Sequence, residues 1–167
     1  LMAFSKFKET DKQGYKLLMV GAPMFKNHEI LNYFNTMRFR ESVVFTGRLS
    51  THELPSLVAS ARALVLVSLY EGFGIPLVEA MQCKVPVICS STTALPEIAG
   101  TAGIKVDPYN TAEIAKALTE IAENDSAHKN LAANCTAAIL RFSWDKSANK
   151  MMKIALKTIE DEFSPLP

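Results

Sequence analysis

The chain has 167 residues, 49% hydrophobic and 21% charged, with a formal net charge of +1. That is enough for one soluble globular domain with a sizeable core, and it excludes a disordered polymer or a chain that wraps nucleic acid by charge alone; no run reaches the ~18 apolar residues of a membrane span. Cys83, Cys89 and Cys135 are scattered without a CxxC pair, so reduced thiols in a cytoplasmic setting are expected rather than a disulfide framework.

Residues 1–8, LMAFSKFK, put Leu1, Phe4 and Phe7 or Lys8 on one face and read as the tail of a helix. A doubly wound domain normally opens on a strand, so the chain is expected to be a fragment cut within its first strand–helix unit. A polar turn at 10–14 leads into an apolar strand at 15–20, ended by Gly21, Ala22 and Pro23. Asn27 is placed to cap a helix through Thr36, with Ile30, Leu31, Phe34 and Met37 along one side. A second strand at 43–46 closes on Gly47. A helix then begins near Thr51: Glu53 follows Ser50 at capping-box spacing, and Pro55 fits only a first turn.

The third strand is expected at 63–69, a helix at 75–81 with Pro76 in its first turn, and the fourth strand at 85–89. Beyond a polar loop at 90–94, residues 96–98 form a short helical turn ended by Gly100, and a brief fifth strand runs over 104–106. The rest reads as helix. Thr111 caps one over 112–123 whose inward face is Ile114, Ala115, Leu118 and Ile121. Ser126 caps another to about residue 140. Ser143 caps the last, with Trp144, Met151, Met152, Ile154, Ala155 and Ile159 as core candidates. Apolar strands each followed by helix or turn, at βαβ spacing, predict a Rossmann-like α/β domain: a parallel sheet with helices on both faces. One domain is expected over 1–167, with a sheet core at about 15–108 and a helical tail at about 111–162 that covers the sheet or returns to a partner domain.

Ligands in such sheets bind beyond the carboxyl ends of the strands. The loop after the third strand is the richest in chemistry. Glu71 is followed by Gly72, Phe73 and Gly74, and a helix then opens at Ile75. Glycines let backbone N–H groups approach a ligand, and the helix start carries partial positive charge; a phosphate or a polyhydroxyl sugar suits both. The loop is neither GxGxxG nor a P-loop. It can equally be a tight turn that only packs strand on helix. Glu79, within PLVEAM, is unexpected in a buried helix and would there need a donor such as vicinal ribose hydroxyls; the plainer alternative is a solvated residue.

Residues 71–79, EGFGIPLVE, resemble the E-x7-E signature of retaining, GT-B fold, nucleotide-sugar glycosyltransferases of family GT4. Their neighbours resemble the family in order: 44–47 the strand and glycine before the base pocket, 52–61 the helix after it, and 85–90 with 95–99 the next strand and the PE loop. The resemblance implies the C-terminal, donor-binding half of a GT-B fold with its first strand missing. It implies that Glu71 contacts donor-sugar hydroxyls and that the turn Gly72, Phe73, Gly74 and Ile75 holds the sugar and distal phosphate. Glu79 would bind the ribose. Gly47, Arg48 and Leu49 would surround the base, with Thr51 and Leu54 beside it, and Leu77 and Val78 would form the wall. It further implies a nucleotide-diphosphate-sugar donor and an acceptor sugar or lipid-linked glycan held by an absent N-terminal domain. Peripheral membrane association of the whole protein is compatible with it. No obligatory metal is implied, no DxD-like pair being present, and no nucleic-acid partner. The family's diphosphate-binding arginine and lysine would precede Leu1; Lys26 could approach that region, the plainer expectation for it being an exposed loop lysine. The fragment alone is therefore expected to be nearly inactive.

Three other readings stay open at this point: a sugar-nucleotide epimerase, a phosphorylase-like enzyme of the same architecture, and a non-catalytic binding module in which Glu79 faces solvent. His28, His52 and His128 are too dispersed for a metal cluster. Cys89 lacks a paired histidine, and Ser91, Thr92 and Thr93 are candidate ligand hydroxyls. Glu97 is expected to anchor its own loop, and Trp144 the last helix.

Overall fold

The computed structural model describes residues 1–22 and 28–162. Asn27, Lys26 and Pro23 lie outside the described residues. Five strands, β1 (Leu17–Val20), β2 (Val43–Gly47), β3 (Leu64–Leu66), β4 (Val87–Ser90) and β5 (Gly103–Val106), are interleaved with helices α1 (Met2–Lys8), α2 (His28–Thr36), α3 (Glu53–Ala59), α4 (Ile75–Gln82) and α5 (Leu95–Ala99). Helices α6 (Thr111–Glu123), α7 (Asp125–Ile139) and α8 (Trp144–Glu162) complete the chain. The strands are all parallel to their neighbours, but they form two sheets rather than the single one expected: β1–β2, and β3–β4–β5. Among the described residues β1 and β3 each have one strand partner.

The three-stranded sheet is covered on both faces. β4 is buried along its whole length, so its alternate residues feed two cores. Val87 and Cys89 meet Leu77, Ala80 and Met81 of α4, Leu95 and Ile98 of α5, and Cys135 of α7. Ile88 faces the other way, with Val106, and meets Ile114 and Ile121 of α6. The two-stranded sheet is covered on one face, where Val43 and half-buried Leu17 and Met19 pack on Phe4, Phe7 and Met37. Its opposite face leaves Leu18, Val20 and Val44 exposed.

Helix α1 joins the two halves. Its Ala3 belongs to the core under β4 and β5, while Phe4 and Phe7 belong to the core under β1 and β2. Leu118 of α6 packs on both. A helix is about 10 Å across and strands are about 4.8 Å apart, so one helix can cover neighbouring strands that share no hydrogen bonds.

Several local expectations hold. Ser50 and Glu53 exchange the two hydrogen bonds of a capping box, at 3.3 and 2.9 Å, and the Ser50 contacts hold the Glu53 carboxyl below its usual range. Ser143 accepts from the Lys146 N–H at 3.3 Å. Ile114, Ala115 and Ile121 are buried on α6. Other expectations are corrected. Asn110 and Asn124, not Thr111 and Ser126, cap α6 and α7, each accepting a backbone N–H three residues on; asparagine is the stronger cap, and its amide oxygen reaches that N–H. Ile30 and Leu31 of α2 are exposed. So are Trp144, Met151, Met152, Ile154, Ala155 and Ile159: every described side chain of α8 lies on the surface, and Trp144 is 86% exposed rather than a core anchor. Amphipathic spacing shows that a face is built for burial, not what buries it.

The entry to β5 is tight. A Cβ on Gly103 would sit 2.5 Å from Val87 Cγ2 and 2.9 Å from the Val87 carbonyl oxygen. Backbone cannot yield as a side chain can, so Gly103→Ala is expected to lower unfolding free energy by about 1–3 kcal/mol. An unchanged midpoint in urea titration would contradict this packing.

Candidate functional site

Strand β3 ends at Leu66, yet the chain stays fixed beyond it. Ser90, fully buried at the end of β4, donates its hydroxyl to the Ser68 carbonyl at 2.6 Å. Ser68 in turn donates to the Glu71 carboxyl at 2.8 Å, and the Glu71 N–H donates to the Thr93 hydroxyl at 3.3 Å. Glu71 is thus held at both its side chain and its backbone.

The turn that follows depends on Gly74. Its φ of +105 lies in the left-handed region, and a Cβ there would come within 2.6 Å of Leu95 Cδ2. Glycine alone satisfies both conditions at no cost. Gly74 is the N-cap of α4, and its carbonyl accepts from the Leu77 N–H at 3.0 Å. The eight-residue helix starts with Ile75 and Pro76; proline has no N–H to leave unpaired in that first turn. Gly72 is exposed with open space around it. Phe73 is half-exposed and meets Phe142 edge-on, ring centroids 5.8 Å apart. Arg141, whose guanidinium lies 5.0 Å from the Phe142 ring centroid, donates to the carbonyls of Glu97 and Ile98 at 3.1 and 2.8 Å. Lys105 donates to the Gly100 carbonyl. These two cations occupy the carboxyl end of α5, where unpaired carbonyls and the helix dipole favour positive charge.

The other expected site residues divide. Gly47 has φ +69, and its carbonyl accepts from the Gly21 N–H at 2.9 Å, tying the carboxyl ends of β1 and β2. Arg48 and Thr51 are exposed, Leu49 and Leu54 half-buried, and Ile75 is 54% exposed. Leu77 is fully buried in the core against α5 and β4. Half-buried Val78 packs against the same core. The Glu79 side chain is exposed, the plainer of its two expected settings, and neither ion pair found among the described residues involves it.

Two hollows among the described residues lie elsewhere, one by Gly100 and Arg141 and one between β5 and α6. Leu69, Tyr70, Phe73 and Ile75, between the end of β3 and the first turn of α4, are exposed, as is Tyr109 beyond the end of β5. Burial pushes the Cys89 thiol up to about 11, despite the opposing pull of Lys105, which leaves it an inert core group. His128 contacts the Arg62 carbonyl at 3.0 Å, a structural link. Among the described residues no cluster of three or more His, Cys, Asp or Glu is arranged to hold a metal, and no helix is long and apolar enough to cross a membrane. Sequence reasoning missed Ser68, Ser90 and Phe142; only Ser68, a polar residue inside the expected apolar strand 63–69 and close before Glu71, gave any signal.

This arrangement is a Rossmann-like α/β unit carrying a Gly-rich turn and two glutamates beyond a strand end. The family model described as "Glycosyl transferases group 1" matches residues 1–138, and the chain belongs to that family. It is 41% identical over 101 residues to the O-antigen chain mannosyltransferase B of Escherichia coli, a match covering 60% of this chain and 26% of that protein. The fold is that of sucrose-phosphate synthase from Thermosynechococcus elongatus (TM-score 0.83, 22% identity, 96% of this chain and 42% of that one). It is also that of Anabaena HepE in complex with UDP and glucose (TM-score 0.79, 22% identity, 93% and 44%). The chain therefore spans about a quarter of the curated relative and under half of each solved structure.

Gly74→Ala is expected to destabilise the chain by about 1–3 kcal/mol, from the φ penalty and the Leu95 contact together. Thermal melting checks this; a midpoint equal to that of the unaltered chain would refute the close approach.

Proposed function

We propose that this chain is the donor-binding, C-terminal half of a two-domain retaining glycosyltransferase of the GT-B type. The observation that carries the proposal is the joint placement of a doubly anchored Glu71, the Gly72–Phe73–Gly74 turn, the start of α4 and exposed Glu79 along one stretch beyond β3. Glu71 positions hydroxyls of the donor sugar. The exposed backbone of Gly72, Phe73 and Ile75 meets the sugar and distal phosphate, with Gly74 setting the turn from beneath. Glu79 accepts hydrogen bonds from the ribose. Gly47, Arg48, Leu49 and Thr51 surround the base. The donor is a nucleoside-diphosphate hexose, and the relative named a mannosyltransferase favours mannose as the sugar. The carboxyl groups bind through hydrogen bonds, so no metal is needed in this half.

Two features support the remainder of the reading. In a doubly wound sheet of strand order 3-2-1-4-5-6, a central strand separates the halves that here appear as β2–β1 and β3–β4–β5; such a strand would fit between β1 and β3. The exposed apolar face of α8 and the apolar groups around the turn are suited to a second domain, which would hold the acceptor and close the cleft. The acceptor is a sugar or a lipid-linked glycan, and the whole protein would work at the inner face of a membrane in the latter case. An exposed Glu79 is also what a non-catalytic module would show, but membership of the glycosyltransferase family favours catalysis.

Calorimetry of the full-length protein with UDP, GDP and ADP tests the donor role. One nucleotide is expected to bind without added metal, and Glu79→Ala to weaken it by about tenfold or more, as for a lost charged hydrogen bond. Equal binding by the variant would remove Glu79 from the site. Hydrogen exchange tests the domain contact: α8 amides are expected to be strongly protected in the full-length protein, and exchange at the rate of an uncovered helix would remove that contact.

A further inference from the structure

Thr93 is one of two non-glycine residues among the described ones with positive φ, at +59. For a β-branched residue this is a costly conformation, and such strain persists only where surrounding structure enforces it. The loop carrying it connects β4 to α5, and both ends are fixed. Ser90 is anchored by its hydroxyl on Ser68, the Ser91 N–H donates to the Val106 carbonyl at 2.8 Å, and buried Leu95 is packed against Gly74.

The directions of the hydrogen bonds follow from chemistry alone. A backbone N–H can only donate, so Thr93 Oγ1 accepts from Glu71. A carbonyl can only accept, so Ser90 donates to Ser68. The Ser68 hydroxyl is then placed to donate to the Glu71 carboxyl oxygen. The left-handed turn at Thr93 brings its hydroxyl back over the loop after β3, where β3 and β4 no longer share a ladder: their pairing ends at Leu66 and Cys89. Two hydroxyls from β4 and its loop thereby replace the missing ladder and fix a segment that would otherwise be free to shift.

We propose that Thr93 is a positioning residue for Glu71: its strained backbone delivers a hydroxyl that, with the Ser90–Ser68 link, sets the Glu71 carboxyl in place before the donor sugar arrives. The inference rests on the donor-site role of Glu71. It assigns a function to a conformation that packing alone does not require, since Thr93 is exposed and in neither of the cores beside it. Preorganisation of this kind acts on turnover more than on binding, because Glu71 meets the sugar while the base and ribose are held at residues 47–51 and at Glu79.

The test uses the full-length protein with three substitutions. Thr93→Val keeps the shape and the strain but removes the acceptor. Thr93→Gly removes acceptor and strain together. Thr93→Ser keeps the acceptor. Val and Gly are each expected to lower kcat by about 10- to 100-fold, as for a displaced reacting group, with nucleotide affinity within about twofold. Ser is expected to stay within about threefold of the unaltered enzyme. The Gly variant separates positioning from stability: it should melt no lower than the unaltered protein while losing turnover. Independently of turnover, amide exchange at Glu71 should quicken in the Val and Gly variants and not in Ser. Undiminished turnover in Thr93→Val, or unaltered Glu71 exchange, overturns the positioning role. Failure of the unaltered protein to bind any nucleoside diphosphate overturns the donor reading, and the role of Thr93 in catalysis with it.

Discussion

The close approach of Leu95 to the bare Cα of Gly74 is the contact on which the site depends. It brings the start of α5 against the start of α4, two helices that follow different strands of one sheet. Leu95 is fully buried and shares a core with Leu77 and Cys89, so it cannot retreat without opening a cavity. A side chain at position 74 would therefore force the turn away from the sheet, and with it the backbone groups of Gly72 and Phe73. The constraint is steric, but its product is chemical: a loop whose N–H groups are held in place without being consumed by regular structure.

Around that contact the site is supported from below by polar links. Ser90 and Ser68 extend the β3–β4 connection past the last ladder pair, and Arg141 and Lys105 hold the carboxyl end of α5. Phe142 rests on Phe73 from the corner between α7 and α8. The turn is thus touched by elements from β4, α5 and the α7–α8 corner. Few of these contacts would face a ligand. Their effect is to reduce the number of conformations the turn can adopt, which lowers the ordering cost when a ligand binds.

Much of this was legible in the sequence. The five apolar runs and their Gly and Pro boundaries gave the order of elements, and Ser50 with Glu53 and Ser143 gave two helix starts that the structure keeps. The limits have physical causes. Residues 63–69 read as one strand because the run is apolar apart from Ser68, yet only Leu64–Leu66 find ladder partners in β4. Thr111 and Ser126 looked like caps because each type can cap; Asn110 and Asn124, just upstream, are better placed to do so. Leu77 belongs to the signature stretch but points into the core, a distinction that helical phase alone did not make. The left-handed backbone of Thr93 could not have been read at all, since threonine's own preference opposes it. The division into two sheets was likewise invisible, because pairing between strands is a long-range property that local patterns do not encode.

Helix α1 holds the two sheets together by its side chains, but side chains do not satisfy a strand edge. β1 and β3 each carry a row of backbone donors and acceptors with no second strand among the described residues. Such rows are templates for any extended peptide of suitable length. A solution of this segment by itself would tend to assemble edge to edge as its concentration rises, and a short added peptide able to occupy the seam would act as its solubiliser.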